Sequence, residues 1–213
     1  MKPTRVLILG ANGAIAQHVI QMLQDQPEIQ LTLFLRSANS LPATPHKNTT
    51  VVIGDVLNPA QLNAAIRGQD IVYANLAGSV DKMAQQIVES MQANQVKRLI
   101  FITSLGIYHE IPGKFGEWNQ AMIGEDLVRY RHAADIIEAS PLDYTVVRPS
   151  WLTDNDEVAY ETTQKGQPFI GTEVARKAVA AYITDLIEHP EKDVKASVGV
   201  NKPGVYGDKP SFY

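Results

Sequence analysis

The 213-residue sequence contains no cysteine. This absence excludes disulfide bonds, thiol catalysis and cysteine-based zinc sites, and it fits a cytoplasmic protein. Long apolar runs are missing as well: no run approaches the roughly 20 residues that a membrane-spanning helix needs. The apolar run near the N-terminus, Val6 to Leu9, is too short for the core of a signal peptide. We therefore expect a cytoplasmic protein that does not interact with membranes.

Excess positive charge is also lacking, because 19 lysines and arginines face 23 aspartates and glutamates, for a net charge of -4. The basic residues do not cluster, so we expect no nucleic-acid partner. No His, Glu or Asp group has the spacing of metal ligands, and no Gly-x-Ser-x-Gly motif is present. The sequence therefore predicts neither a metal site nor hydrolase chemistry.

What the sequence does contain is a regular alternation of apolar β-branched runs and amphipathic stretches. Its length suits one domain over residues 1–213, with 45% hydrophobic residues to fill a core. Strands are predicted at 5–10, 30–36, 49–55, 70–78, 97–104, 143–150 and 194–200, and helices at 14–25, 58–68, 82–96, 124–140 and 173–189. This alternation predicts an α/β fold: a doubly wound parallel sheet with helices on both faces.

Three segments interrupt the alternation. Residues 37–48 are polar and contain prolines, which predicts a loop. Residues 105–121 and 151–171 follow the fifth and sixth strands, whose carboxyl ends lie where open α/β sheets bind ligands. We expect both to be substrate-side loops, the second opening a small C-terminal substrate-side region.

The first strand leads into the segment Gly10-Ala-Asn-Gly13-Ala-Ile-Ala16, which has the pattern of a phosphate-binding turn. Gly10 permits a tight turn, Gly13 lets the backbone approach a pyrophosphate, and Ala16 is small enough to pack helix against strand. The N-terminus of the following helix attracts the anion. The alternative is a structural βα turn that binds nothing.

Residues after the next three strands can be assigned to the two halves of a dinucleotide. Arg36 stands where an acidic residue would select NAD, so we expect NADP(H) to be preferred, with NAD(H) possible. Asp55 and Val56 are placed to contact the adenine. The small residues in 75–79 would let the backbone approach a ribose. The alternatives are a solvated Arg36, a helix-leading Asp55 and an ordinary turn at 75–79.

Several segments together resemble the atypical short-chain dehydrogenase/reductase family, in its NAD(P)H-binding, NmrA-like branch that includes biliverdin/flavin-reductase-like proteins. The resemblance runs nearly end to end and rests on GANGAIA, GDVLNPAQLNAAIRGQDIV, VKRLIFITSLGIY and DIIEASPLDYTVVRPSWLTD. It implies an NAD(P)-binding Rossmann fold. It also implies cofactor contacts from Gly10, Asn12, Gly13, Ala14, Ile15, Arg36, Asp55, Val56, Leu76, Ala77 and Gly78, with Thr103 and Ser104 near the nicotinamide and Pro149, Ser150 and Trp151 beyond it.

The chain departs from this family at its Tyr-x-x-x-Lys pair, in which the lysine holds the ribose and lowers the pKa of a proton-donating tyrosine. Alignment places Leu127 at the tyrosine position and Arg131 at the lysine position, with Tyr130 out of register. Arg131 can still hold a ribose or phosphate. We therefore consider Ser104, Tyr108 and Arg131 as candidate catalytic residues. The alternative for Tyr108 is packing over the cofactor site.

These features favour an NADPH-dependent oxidoreductase that transfers hydride to a flavin, a quinone or a small carbonyl compound. A flavin or quinone can take its proton from solvent, so a missing tyrosine is tolerable. The alternative is a redox sensor that binds NADP(H) without turnover. An epimerase or dehydratase is a weaker alternative, because it needs the absent tyrosine. We expect a small-molecule substrate and a monomer or homodimer.

Overall fold

Ten strands and five helices are present in the residues that the computed structural model describes, 2–37 and 47–213. The predicted loop at 37–48 lies almost entirely outside these residues. The strands are β1 (Thr4–Leu9), β2 (Ile29–Leu35), β3 (Thr49–Ile53), β4 (Ile71–Ala74), β5 (Arg98–Ile102), β6 (Asp143–Pro149), β7 (Trp151–Thr153), β8 (Glu161–Gln164), β9 (Glu173–Ala175) and β10 (Ala196–Asn201). The helices are α1 (Ala14–Leu23), α2 (Pro59–Ile66), α3 (Val80–Ala93), α4 (Gly113–Glu138) and α5 (Arg176–Glu188).

Eight of the strands form one sheet in the order β3-β2-β1-β4-β5-β6-β10-β8. All neighbours are parallel except β8, which runs antiparallel to β10 at the edge. Strands β2 and β3 follow β1 on one side of the sheet, and β5 and β6 follow β4 on the other side. The crevice of a doubly wound sheet therefore opens between β1 and β4. The predicted fold class is confirmed.

The side chains of β1 show how the sheet is covered on both faces. Val6 and Ile8 pack into the layer that contains α1 and α5, whereas Leu7 and Leu9 pack into the layer that contains α2, α3 and α4. All four side chains are fully buried. A continuous apolar run is therefore the pattern that this central strand requires, because successive side chains enter opposite layers.

Local signals position the helices that flank this strand. Ala16 is fully buried against the sheet, in agreement with its predicted packing role. Asn58 caps α2, since its side chain accepts a hydrogen bond from the Gln61 backbone N–H at 3.2 Å, and Pro59 occupies the first helical position. No helix in the described ranges is both long enough and apolar enough to cross a membrane.

Three predicted boundaries are wrong. Helix α4 begins at Gly113, inside the predicted loop 105–121, and bends at Ile123, where the backbone leaves helical geometry. The segment 151–171 contains β7 and β8 and is not a loop throughout. The last predicted helix starts only at Arg176, because the three residues before it form β9 and pair with β7. Pairing between distant segments creates these strands, and a local pattern does not reveal it.

A buried ion pair fixes the segment that follows β5. The Arg148 side chain is fully buried, and its Nη1 donates to Glu110 Oε1. Its remaining N–H groups donate to Ser197 Oγ at 3.1 Å, to the Ser197 carbonyl at 3.2 Å and to the Thr163 carbonyl at 3.2 Å. Glu110 also accepts from the backbone N–H groups of Gly106 and Tyr108, at 3.0 and 2.9 Å. The pair thus ties this segment to β6, β8 and β10.

We expect Glu110→Ala to lower the free energy of unfolding by about 3–5 kcal/mol, because it leaves the Arg148 charge buried and unpaired. The matched control is Asp208→Asn, which breaks the exposed pair with Lys114 at 3.5 Å and is expected to cost less than about 1 kcal/mol. Urea unfolding followed by circular dichroism measures both. Equal losses for the two variants would contradict the structural role given to Glu110.

Candidate functional site

Two clefts open at the carboxyl ends of the parallel strands. The β2-side cleft has a volume of about 440 Å³ and is lined by Gly10, Asn12, Gly13, Phe34, Leu35, Arg36, Ser37, Gly54, Asp55, Val56, Asn75, Leu76, Ala77 and Met83. The β6-side cleft, of about 550 Å³, is lined by Gly13, Ile15, Asn75, Leu76, Ala77, Ile102, Thr103, Ser104, Leu105, Ile123, Tyr130, Pro149, Ser150, Trp151, Leu152, Arg176, Phe212 and Tyr213. Both are lined by Gly13 and by residues 75–77, so they form one continuous groove.

The turn between β1 and α1 lies where the two clefts meet. Gly10 has a φ of +78°, and a Cβ atom there would lie 2.1 Å from the Asn75 carbonyl oxygen. A Cβ atom at Gly13 would lie 1.9 Å from Asn75 Nδ2. The glycines are therefore needed for packing inside the protein, a reason that the sequence pattern did not reveal. Helix α1 starts directly after Gly13, and the N–H groups of its first turn have no helical carbonyl to bind.

The β2-side cleft gathers the residues predicted to contact the adenosine half of a dinucleotide. Arg36 is exposed at its rim, and Val56 is buried in its wall. Asp55 Oδ1 accepts a hydrogen bond from the Leu57 backbone N–H at 2.9 Å, which fixes the carboxylate at the start of the turn into α2. Asn12 Nδ2 donates to the Ser37 carbonyl at 3.1 Å and closes the cleft on one side.

The β6-side cleft contains all five residues predicted to lie near and beyond the nicotinamide. Thr103 and Ser150 are buried, and their hydroxyls donate to the carbonyls of Val147 and Gly171 at 3.1 and 2.7 Å. Ser104 is only partly buried, and its hydroxyl donates to the Leu105 carbonyl at 3.2 Å. Of the predicted cofactor residues, Ala14, Gly78 and Arg131 line neither cleft.

Two of the three candidate catalytic residues lie away from the groove. The Tyr108 hydroxyl donates to Glu138 Oε1 at 2.6 Å and to Ser197 Oγ at 3.1 Å, and Tyr108 lines neither cleft. Arg131 also lines neither cleft: its Nε pairs with Asp135 at 2.8 Å, and its guanidinium lies 5.0 Å from the centre of the Tyr108 ring. Neither Tyr108 nor Arg131 therefore lines the groove in this structure, and a catalytic role for them stays a prediction.

The cause of this displacement is the buried ion pair described above. Glu110 binds the backbone N–H of Tyr108 while it is itself held by Arg148, so the ring turns toward β10. The predicted packing of Tyr108 over the cofactor site is wrong for the same reason. Leu127, at the family's tyrosine position, is buried in the core.

Sequence reasoning missed two residues of helix α4 that line the groove, Ile123 and Tyr130. Tyr130 faces the β6-side cleft, and its hydroxyl lies 3.4 Å from the Leu76 carbonyl oxygen, which accepts its hydrogen bond. Burial, with a smaller contribution from the Asp126 carboxylate, raises the pKa of the Tyr130 phenol. The phenol is therefore protonated at neutral pH. Tyr130 is out of register with the Tyr-x-x-x-Lys pattern, and it was therefore not predicted from the sequence as a site residue.

An aromatic wall, formed by Trp118, Trp151, Phe212 and Tyr213, closes the outer end of the β6-side cleft. The Trp118 ring centre lies 4.7 Å from that of Trp151 and 5.1 Å from that of Tyr213. Trp151 Nε1 donates to Asn119 Oδ1 at 2.9 Å, which holds the indole in place. Three of the four rings line the cleft, so this end of the groove presents flat apolar surface.

Positive charge at this end comes from Arg176, the first residue of α5, which pairs with the exposed Asp154 at 2.7 Å. Within the described parts of the chain, no group of three or more His, Asp or Glu side chains is arranged to hold a metal ion. Trp151 was predicted at this site, whereas Trp118, Phe212, Tyr213 and Arg176 gave no clear sequence signal, because they come from segments distant in the chain.

The groove can now be compared with known proteins. Residues 10–190 match the family model described as NAD(P)H-binding. The chain belongs to this NAD(P)H-binding family. The matched region begins directly after β1 and covers both glycines of the first turn and the other strands that border the groove.

Three relatives illustrate the match. A Rossmann-fold NAD(P)-binding family protein from Shigella flexneri is 48% identical, with 99% of each chain covered and a TM-score of 0.86. A short-chain dehydrogenase/reductase from Veillonella parvula, solved in complex with NADP, is 29% identical, with 98% and 99% covered and a TM-score of 0.91. YhfK of Bacillus subtilis, named as an uncharacterised sugar epimerase, is 26% identical over 85% of this chain and 88% of its own. The resemblance to atypical short-chain dehydrogenases/reductases is confirmed.

We expect Gly13→Ala to destabilise the protein by about 1–3 kcal/mol, because the new methyl group collides with the Asn75 side chain. Since the backbone of Gly13 is in a conformation open to alanine, with φ at −63°, the double variant Gly13→Ala/Asn75→Ala should recover most of this loss. Urea unfolding of the four proteins of this mutant cycle measures the coupling.

Gly10→Ala is the matched control for this cycle. Its methyl group would meet the Asn75 backbone carbonyl at a positive φ, so Asn75→Ala should give no recovery. If Asn75→Ala restores stability equally in the Gly10→Ala and Gly13→Ala variants, or restores none in Gly13→Ala, the packing described here is contradicted.

Proposed function

We propose that this protein is an NADPH-dependent reductase that transfers hydride to a flat aromatic acceptor, a flavin or a quinone. The observation that carries the proposal is the continuity of the groove. A single channel runs from Arg36, past the glycine turn, to Ser104 and ends at the aromatic wall. Cofactor and acceptor can therefore meet in the β6-side cleft.

The residues of the groove fit a dinucleotide along its whole length. The β2-side cleft, with Asp55 and Val56, suits the adenosine, and the first turn of α1 suits the pyrophosphate. The β6-side cleft, with Thr103 and Ser104, suits the nicotinamide and its ribose. When bound, the cofactor supplies the hydride, and water supplies the proton that completes reduction of the acceptor.

Preference for NADP over NAD is proposed from the charges around the β2-side cleft. Arg36 is exposed at the rim, where a 2′-phosphate would be neutralised. Asp55 is the one carboxylate among the residues that line this cleft, and one of its oxygens already accepts from the Leu57 backbone. Among the described residues, no second acid lines this cleft to select the free ribose hydroxyls of NAD.

The nature of the acceptor is proposed from the aromatic wall and from the missing proton donor. Trp151, Phe212 and Tyr213 offer ring faces and edges against which a planar ring system can pack. Leu127 stands at the position of the family's proton-donating tyrosine and is buried, and among the candidate catalytic residues Ser104 alone lines the cleft. Flavins and quinones fit these features better than a small carbonyl compound, whose reduction needs a proton donor at the reacting oxygen.

Two other functions predict different results in one assay. A redox sensor, favoured by the burial of Leu127 at the tyrosine position, would bind NADPH without oxidising it. An epimerase, suggested by the name of the Bacillus subtilis relative, would act on a nucleotide sugar. One assay series follows NADPH oxidation at 340 nm with FMN, a naphthoquinone and an aldehyde, and it follows conversion of a nucleotide sugar by chromatography, because epimerisation gives no net oxidation of the cofactor. We expect turnover with the first two; no turnover with any acceptor would overturn the reductase proposal.

We expect Tyr213→Ala to raise the KM for FMN roughly tenfold, because it removes one ring of the aromatic wall. The Kd for NADPH should change less than about twofold, since Tyr213 lies at the outer end of the cleft. Tyr206→Ala is the control, because Tyr206 is similarly exposed but bonds Glu161 outside the groove. Loss of NADPH affinity in Tyr213→Ala, with the KM for FMN unchanged, would contradict the placement of the acceptor.

We expect Arg36→Ala to weaken NADPH binding by about 10- to 100-fold, as for loss of a charge-assisted hydrogen bond. The Kd for NADH should stay within about twofold of wild type, because NADH has no 2′-phosphate. Calorimetric titration measures the four dissociation constants, for NADPH and NADH with the wild type and with Arg36→Ala. A similar loss for both cofactors would rule out the proposed role of Arg36 in choosing NADP.

A further inference from the structure

The hydroxyl of Tyr130 lies where the β2-side and β6-side clefts meet. Leu76 lines both clefts, whereas Tyr130 lines only the β6-side cleft. Because its hydroxyl donates to the Leu76 carbonyl at 3.4 Å, it marks the border where the β6-side cleft begins. Gly13, at the start of α1, lies at the same border.

The bend in α4 and the burial of Leu127 explain how Tyr130 reaches this point. The second half of the helix starts after the non-helical residue Ile123. Leu127 packs into the core beside Gly106: a Cβ atom added at Gly106 would lie 3.4 Å from Leu127 Cδ1. Tyr130 follows three residues later on the same side of the helix. The longer tyrosine side chain can therefore extend past the core to the edge of the groove.

The phenol of Tyr130 is suited to donate a hydrogen bond and not to act as a base. Its raised pKa keeps it protonated at neutral pH. Its bond to the Leu76 carbonyl, at 3.4 Å, is longer than an ordinary O–H···O hydrogen bond. A closer oxygen from a ligand in the cleft would therefore be a better acceptor for the same hydrogen.

The order of groups in a dinucleotide identifies this ligand oxygen. If the adenosine lies toward Arg36 and the pyrophosphate at the first turn of α1, the next group along the groove is the ribose that carries the nicotinamide. This ribose enters the β6-side cleft at its border, beside Leu76 and Tyr130. Arg131, which the family pattern assigns to the ribose, is paired with Asp135 outside the groove.

We propose that Tyr130 binds a hydroxyl of the nicotinamide ribose and takes the binding role that the family's pattern gives to lysine. The assignment rests on the proposed NADPH-dependent function. In this assignment, Tyr130 binds the cofactor and orients the nicotinamide, and its phenol transfers no proton to the acceptor.

The test is the binding of two ligands to Tyr130→Phe, which removes only the hydroxyl. We expect the Kd for NADPH to rise about 3- to 10-fold, the range for loss of one neutral hydrogen bond. The Kd for 2′,5′-ADP should not change, because this fragment has the adenosine and the 2′-phosphate but lacks the nicotinamide ribose. Calorimetric titration measures both constants. Tyr160→Phe is the control, because the Tyr160 ring contacts Tyr182 outside the groove.

Each outcome of this test has a distinct meaning. If Tyr130→Phe binds NADPH as tightly as wild type, or loses affinity for both ligands equally, the ribose assignment is overturned. If its NADPH affinity is unchanged but the pH profile of kcat shifts, Tyr130 is a proton donor and the assignment is again overturned. If wild type binds neither ligand, the proposed function itself fails. An unchanged melting temperature of the variant shows that a loss of affinity does not come from unfolding.

Discussion

The close approach of Asn75 to the glycine turn is the constraint on which the groove depends. The carbonyl and the side chain of Asn75 occupy the space that a Cβ atom would need at Gly10 and at Gly13. This contact joins the end of β1 to the end of β4, the two strands between which the doubly wound sheet changes direction. Gly13 and Asn75 line both clefts, so this contact forms part of the wall that the β2-side and β6-side clefts share.

A second constraint decides which side chains reach the groove. The buried pair of Arg148 and Glu110 is satisfied by backbone and hydroxyl partners on β8, on β10 and in the segment after β5, as a charge in the interior requires. By holding the segment after β5, it turns Tyr108 toward β10. Of the three candidate catalytic residues, only Ser104 lines the groove among the described residues, and Tyr130 lines it as well. This arrangement suits hydride transfer to an acceptor that takes its proton from water.

Sequence reasoning predicted the parts of the fold that local patterns encode. The continuous apolar run of β1 reflects burial on both faces, and Asn58-Pro59 marks the start of α2 because the cap and the fixed proline φ act within a few residues. Most of the residues predicted at the strand ends line the two clefts, and their contact with a cofactor stays a prediction. Strand β9 could not be predicted, because it exists only through its pairing with β7. Phe212 and Tyr213 reach the cleft from far along the chain, and the bend at Ile123 is not apparent in a helical pattern.

The central claim is that one groove holds NADPH and an aromatic acceptor close enough for direct hydride transfer. The most direct measurement is an anaerobic single-turnover reaction between the NADPH-bound protein and FMN, with hydrogen or deuterium on the transferring face of the nicotinamide. The account predicts loss of the absorbances of NADPH and oxidised FMN at equal rates, slower with deuterium, and transfer of the label away from the nicotinamide. Tight NADPH binding with no loss of absorbance would contradict the account and would favour a redox sensor.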